Sequence, residues 1–161
     1  MKILLINPPF QRLKGIAHIY FPLGLGYICT AVSADRMVNA MIYNAEVPDF
    51  SERLPFHVRY SDMLKLHDKY IDSLSNDNHY VWQEIAGVIK DFNPDLVGIS
   101  VMTAKFAPSL KLSQIAKSLN RDCKVVWGGS HATVDPKRVL QNEAVDFVVR
   151  GEGEVTLRNL T

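Results

Sequence analysis

The segment from Leu96 to Met102 (LVGISVM) is almost continuously apolar, and it limits the possible folds more than any other stretch of the chain. A strand with one wet face alternates apolar and polar residues. A run without alternation belongs to a strand covered on both faces, as in the middle of a parallel sheet. Shorter apolar runs occur at Lys2 to Asn7, Ala40 to Ala45, Lys124 to Trp127 and Phe147 to Val149. Between them lie stretches with helical spacing: Leu23 to Ala34, Tyr80 to Phe92, Pro108 to Leu119 and a short one from Pro136 to Gln141. Strand and helix in alternation predict βαβ units, hence a doubly wound α/β domain with a five-stranded parallel sheet. Pro8-Pro9 stops the first run, because proline continues neither a ladder nor a helix interior.

Residues 49–79 are less regular and read as an insertion after the second strand. Met63, Leu66, Tyr70 and Leu74 form an apolar stripe, which predicts one helix there. Asp49 to Glu52 and Ser75 to Asn78 read as flanking loops. At the other end, residues 155–161 carry Val155, Leu157 and Leu160 and predict a helix that has only begun. A single turn is not stable alone. The expectation is that residues 1–161 are one domain of a longer protein.

Bulk properties narrow the function. A chain of 161 residues is long enough for one proper core. Its net charge of +1, with Lys and Arg scattered, argues against a partner bound by phosphate neutralisation, so no nucleic acid is expected. No apolar run reaches the roughly 18 to 20 residues of a membrane span. The start of the chain also lacks a signal-peptide pattern, so a cytoplasmic location is expected. Cys29 and Cys123 are too few for a disulfide framework or a metal cage and read as free core thiols.

Ligands of open parallel sheets sit outside the carboxyl ends of the strands. The unusual residues of this chain fall there: Asn7-Pro8-Pro9-Phe10, Ser100 to Thr103, Gly128 to Thr133 and Arg150 to Glu154. Each group has two readings. Gly128-Gly129 serves either a turn needing positive φ or a close approach of backbone to a flat ligand. Ser100 and Thr103 are either helix caps or donors to a ligand. His131 is a hydrogen-bonded structural histidine or takes a metal-ligand or acid–base role; His18 has the same two readings, and His57, His67 and His79 read as solvated or on a helix face. Glu152 and Glu154 suit either acid–base work or the start of a helix. No phosphate loop is present, and the glycines of Leu23-Gly24-Leu25-Gly26 read as close helix packing against the sheet or a ligand. The residues by themselves say only that something binds at the sheet edge.

Taken together, KILLINPP at Lys2 to Pro9, FPLGLGY at Phe21 to Tyr27 and NPDLVGISVMT at Asn93 to Thr103 carry a family likeness. WGGSHAT at Trp127 to Thr133 and DFVVRGEGEVTL at Asp146 to Leu157 extend it. The chain resembles the N-terminal cobalamin-binding domain of cobalamin-dependent radical S-adenosylmethionine enzymes. The resemblance implies a flavodoxin-like (Rossmann-like) sheet of strand order 2-1-3-4-5, with the nucleotide tail of cobalamin between the third and fourth strand edges. The cofactor-binding residues it implies are Pro8, Pro9, Phe10, Leu23, Gly24, Ser100, Met102, Thr103, Gly128, Gly129, Ser130, His131, Gly151 and Glu152. The loop after Pro9 would lie under the corrin.

Methionine synthase and the mutases carry Asp-x-His-x-x-Gly after the first strand, whereas Asn7-Pro8-Pro9-Phe10 here has no histidine. Cobalamin is therefore expected base-off without histidine ligation. The Cys-x-x-x-Cys-x-x-Cys triad that would hold a [4Fe–4S] cluster does not occur. The resemblance places that cluster and S-adenosylmethionine in a C-terminal radical S-adenosylmethionine domain. It further implies methyl transfer, or a ring-forming oxidation as in relatives of anaerobic Mg-protoporphyrin monomethyl ester cyclase, on a small-molecule or peptide substrate. These residues alone carry no catalytic group or metal site. The rival reading is a module of the same fold binding a flavin or nucleotide.

Overall fold

A computed structural model describes residues 1–35, 37–48 and 51–160. Along the chain run β1 (Lys2–Asn7), α1 (Leu23–Val32), β2 (Asn39–Asn44), α2 (Met63–Ser75), α3 (Tyr80–Phe92) and β3 (Leu96–Ser100). Then follow α4 (Phe106–Leu119), β4 (Lys124–Gly128), α5 (Ser130–Val134), α6 (Pro136–Leu140), β5 (Phe147–Val148) and α7 (Gly153–Leu160). All neighbouring strands are parallel, in the order β2-β1-β3-β4-β5. The five-stranded parallel sheet is the one expected from the strand pattern, and its order is the flavodoxin-like one that the resemblance implies.

The period of two along each strand divides the core. Leu4, Ile6, Val97, Ile99 and Trp127 point to one face, where they meet Ile85 of α3 and Leu112 of α4. Ile3, Leu5, Leu96 and Val126 point to the other, where they meet Leu25 and Val32 of α1 and Leu157 of α7. Both buried tryptophans satisfy their N–H. Trp127 donates from Nε1 to Ser113 Oγ at 2.8 Å, and Trp82 to the carbonyl of Ser73 at 2.8 Å.

Several boundaries differ from the expectation for local reasons. β3 ends at Ser100, two residues early, because Met102 leads into a tight 3₁₀ turn over Thr103–Lys105. α1 ends at Val32, not Ala34. A short helix, α5, which the sequence pattern does not predict, follows the strand end at Ser130. His79 is not merely solvated: its Nδ1 caps α3 by accepting from the Val81 N–H. The stripe on 63–74 does form α2, but its burial rests on Tyr70 and Ser73, while Met63 is exposed. The helix expected to start near Val155 begins at Gly153. Asp49 and Phe50 of the expected loop, and Thr161, lie outside the described residues. Among the described residues no helix is long and apolar enough to cross a membrane.

Asp146 fastens the last strand to this frame. It accepts from the Val125 N–H at 2.7 Å and from Lys117 of α4 at 2.6 Å. Burial works to raise its pKa, but the Lys117 ammonium and the Val125 N–H outweigh that and hold it below the ordinary carboxylate value. A depressed native value stabilises the fold above the unfolded value and is lost as pH falls through the native one. Asp146→Asn is expected to cost about 1 kcal/mol at pH 7, given partial exposure of the pair. Urea titrations across pH should show the difference closing below roughly pH 4, where the unfolded carboxylate protonates.

Candidate functional site

The C-terminal ends of β3 and β4 lie side by side, with Ser100 opposite Gly128. Beyond them the chain opens into a groove of about 190 Å³ between the sheet, α1 and α7. Leu5, Gly98 and Val126 form its floor, Leu25, Ile28 and Leu157 its walls. Ser100, Gly128, Gly129, Gly151 and Glu152 stand at the strand-end side.

Six of the nine glycines in the chain line this groove. Two of them keep neighbouring parts close together. A Cβ on Gly98 would stand 2.7 Å from Leu5 Cδ2, and one on Gly153 3.0 Å from Ile28 Cδ1. Gly129 is fixed by its backbone, with φ 95° and space for a Cβ only 2.9 Å from the Val101 carbonyl oxygen. Gly24 and Gly151 have no atom within 4 Å of a Cβ position, and Gly128 has only ordinary contacts there. At these three positions glycine keeps the groove open.

Thr133 ties the mouth together. Its hydroxyl donates to the Gly129 carbonyl at 2.9 Å and accepts from the Gly151 N–H at 2.9 Å. The two glycine turns, on different strand ends, therefore move as one.

Of the residues singled out in the sequence, Gly24, Ser100, Gly128, Gly129, Gly151 and Glu152 come together in the groove. The others stand elsewhere. Leu23 is exposed at the first turn of α1, and Met102 and Ser130 are exposed just past their strands. Thr103 does not line the groove, because the 3₁₀ turn carries its hydroxyl to His131 Nδ1, 3.2 Å away. His131 is 9% exposed and packs edge-on against Phe106 at 5.0 Å, with no partner for Nε2. Neither Ser100 nor Thr103 caps a helix. Pro8 and Pro9 are buried in the loop after β1, and Phe10 packs edge-on to Tyr70 at 5.3 Å.

What holds that loop was not evident from the sequence. Glu46, 1% exposed, accepts N–H bonds from Phe10 and Gln11 at 2.9 Å and from Arg12 at 3.2 Å. Its other oxygen meets the buried Lys105 ammonium at 2.9 Å. Lys105 also donates to Asn7 Oδ1 and to the Pro8 carbonyl, each at 2.9 Å. Deeper in, the fully buried Arg12 pairs with Glu52 and Glu84, and Tyr43 donates to Glu84. Burial, together with that carboxylate, pushes the Tyr43 phenol well above its usual value. The one sequence signal was an ionisable residue, Glu46, directly after the second strand.

The groove is mainly apolar with a few polar groups at one end, which is the chemistry of a binding site. Among the described residues no three His, Cys, Asp or Glu side chains are grouped to hold a metal ion. Both cysteines are free; burial pushes the Cys123 thiol up to about 11, far from a reactive thiolate.

Comparison with known proteins gives the kinship of the chain as a whole. A family model described as "B12 binding domain" matches residues 14–161. The chain is 32% identical, over 99% of its length, to an uncharacterized methyltransferase of Pyrococcus horikoshii, of which it covers 28%. It is 29% identical, over 96% of its length, to cytidylyl-2-hydroxyethylphosphonate methyltransferase of Streptomyces wedmorensis, covering 27% of that protein. Over 63% of its length it is 32% identical to anaerobic magnesium-protoporphyrin IX monomethyl ester cyclase of Rubrivivax gelatinosus, covering 17%. The chain thus spans less than a third of each of these relatives.

Lys105→Met leaves Glu46 buried beside one fewer cation and should cost about 3 kcal/mol. Combining it with Glu46→Gln should recover part of the loss, as read from urea midpoints at constant m.

Proposed function

The chain belongs to the B12-binding domain family, and from that premise we propose that the groove takes the nucleotide tail of cobalamin while the corrin lies over the loop after β1. The observation that carries this reading is a glycine-lined slot at the ends of the two central strands. Its size is informative. About 190 Å³ is below the roughly 300 Å³ at which pockets begin to enclose a whole small ligand. It suits one limb of a larger molecule whose remainder lies outside the slot. The residues present fit such a limb: glycines let a flat ring approach the backbone, Leu5, Leu25, Val126 and Leu157 give it apolar contact, and Ser100 offers a hydroxyl. Gly24, Ser100, Gly128, Gly129, Gly151 and Glu152 would hold the tail. Pro8, Pro9 and Phe10 would support the macrocycle.

In this reading the cofactor binds base-off and without histidine ligation. Support comes from the loop itself, where Asn7-Pro8-Pro9-Phe10 offers no imidazole, and from the groove, which no histidine lines. Bound cobalamin would supply a cobalt centre able to carry a methyl group. The role of this chain is to bind and orient it.

The domain would serve a radical S-adenosylmethionine enzyme whose [4Fe–4S] cluster and S-adenosylmethionine sit on a domain C-terminal to these residues. Methyl transfer or oxidative cyclisation of a small-molecule or peptide substrate is the reaction proposed for that protein. The sequence likeness supports this, and so do the relatives, two named as methyltransferases and one as a cyclase.

Hydroxocobalamin mixed with the protein and then desalted should leave corrin absorbance in the protein fraction, whereas flavin mononucleotide should pass through. Gly24→Phe places a ring in the open groove without backbone strain and should weaken cobalamin uptake at least 100-fold with unchanged circular dichroism. Retention of flavin, or full cobalamin uptake by Gly24→Phe, would refute the assignment. The electron paramagnetic resonance spectrum of the Co(II) form should lack nitrogen superhyperfine splitting; its appearance would remove the ligation part of the proposal alone.

A further inference from the structure

A second concavity, of about 560 Å³, lies between the loop after β1 and the segment leading into α2. It shares no lining residue with the groove. Its volume falls within the roughly 300 to 1,000 Å³ of small-molecule sites. The polar side chains lining it are Gln11, Lys14, His18, His57 and His67; no aspartate or glutamate is among them. Among the described residues, the ionisable groups that line this space are thus lysine and histidine alone.

Lys14 strengthens the point. Its ammonium stands 3.9 Å above the Phe10 ring, and among the described residues it forms no salt bridge. Burial lowers its pKa, and the nearby charge of Glu46 only opposes that. Glu46 is already committed, one oxygen to three backbone N–H groups and the other to Lys105. A partly desolvated cation that lacks a salt bridge among the described residues is stabilised by an incoming anion. A second ammonium, that of Lys69 on α2, lies against Gly15 so closely that no Cβ fits there. The turn at Gly15, φ 76°, thus carries the Lys69 ammonium against it.

The rest of the wall is apolar and exposed. Phe56, Val58 and Met63 line the pocket and remain in contact with solvent, Phe56 at 61%. Large apolar side chains left wet around a concave cationic site match a ligand with an apolar body.

We infer that this pocket, built by Lys14, His18, His57 and His67 over Phe56 and Met63, binds an organic anion with an apolar body, a carboxylate, sulfonate or phosphoryl compound. The site adjoins the proposed corrin platform on the loop after β1 and is separate from the groove itself. Segment 51–75 thereby gains a role, as the outer wall of a binding pocket on the same edge of the sheet.

Two probes of nearly the same shape test this by isothermal titration calorimetry: anionic 1-anilinonaphthalene-8-sulfonate and neutral N-phenyl-1-naphthylamine. The anion should bind one site at least tenfold more tightly than the neutral compound. Lys14→Gln combined with His57→Ser should weaken the anion tenfold or more, and Phe56→Ser alone should weaken both probes. Gly24→Phe, which fills the groove, should leave anion binding unchanged. Equal affinity for the two probes, unaltered binding by the Lys14→Gln, His57→Ser variant, or loss of binding in Gly24→Phe would each overturn the inference. Circular dichroism of every variant separates loss of the site from loss of the fold. Corrin absorbance after desalting is read separately from anion binding, and Gly24→Phe should lose the first while keeping the second, so failure of either proposal is visible without the other.

Discussion

Glu46 receives four donors: three backbone N–H groups from the loop after β1 and the ammonium of Lys105. A buried carboxylate survives only when its charge and lone pairs are met in this way. The consequence reaches past the pair. Lys105 comes from the turn after β3, Glu46 from the end of β2, and the captured loop from β1. Three strand ends are therefore locked to one another where the sheet edge would otherwise fray. The proposed corrin platform and the cationic pocket are both built on that locked loop.

Groove and ion pair divide the edge between them. On the α1 and α7 face the chain gives up side chains: glycine replaces bulk at Gly24, Gly128 and Gly151, and no packing is recovered there. On the α3 and α4 face it does the opposite, with Trp127, Trp82, Ile85 and Leu112 fully packed. A groove lined by glycine weakens local packing and costs conformational entropy on folding. The dense opposite face supplies what keeps the fold intact while one side stays open.

The strand pattern was legible because burial on both faces leaves a plain mark on sequence. Leu96 to Ser100 and the runs on either side reveal the sheet and its layers. Glycine at strand ends was also legible, since Gly128, Gly129 and Gly151 interrupt bulky runs. Positions past a strand end were not. Periodicity gives the direction of a side chain only while the backbone stays regular, and the 3₁₀ turn at Thr103 sends its hydroxyl to His131 instead of the groove. Lys105 and Glu46 were invisible for another reason. Each looks like a surface residue in its own neighbourhood, and only long-range topology brings the two charges together. Thr133 stands among the strand-end residues in the sequence, but its bridge between Gly129 and Gly151 shows only once the two turns are seen side by side.

α7 buries only Gly153 and Leu157 among its residues, and its main neighbour is α1 across the groove. It is at once a wall of the slot and the most lightly held helix of that layer. A ring seated beneath Leu157 would add contact where the helix has least. By linkage, a ligand in the slot that touches Leu157 would also stabilise α7 where it lies. Occupancy of the slot and the docking of α7 against α1 are therefore linked, each favouring the other.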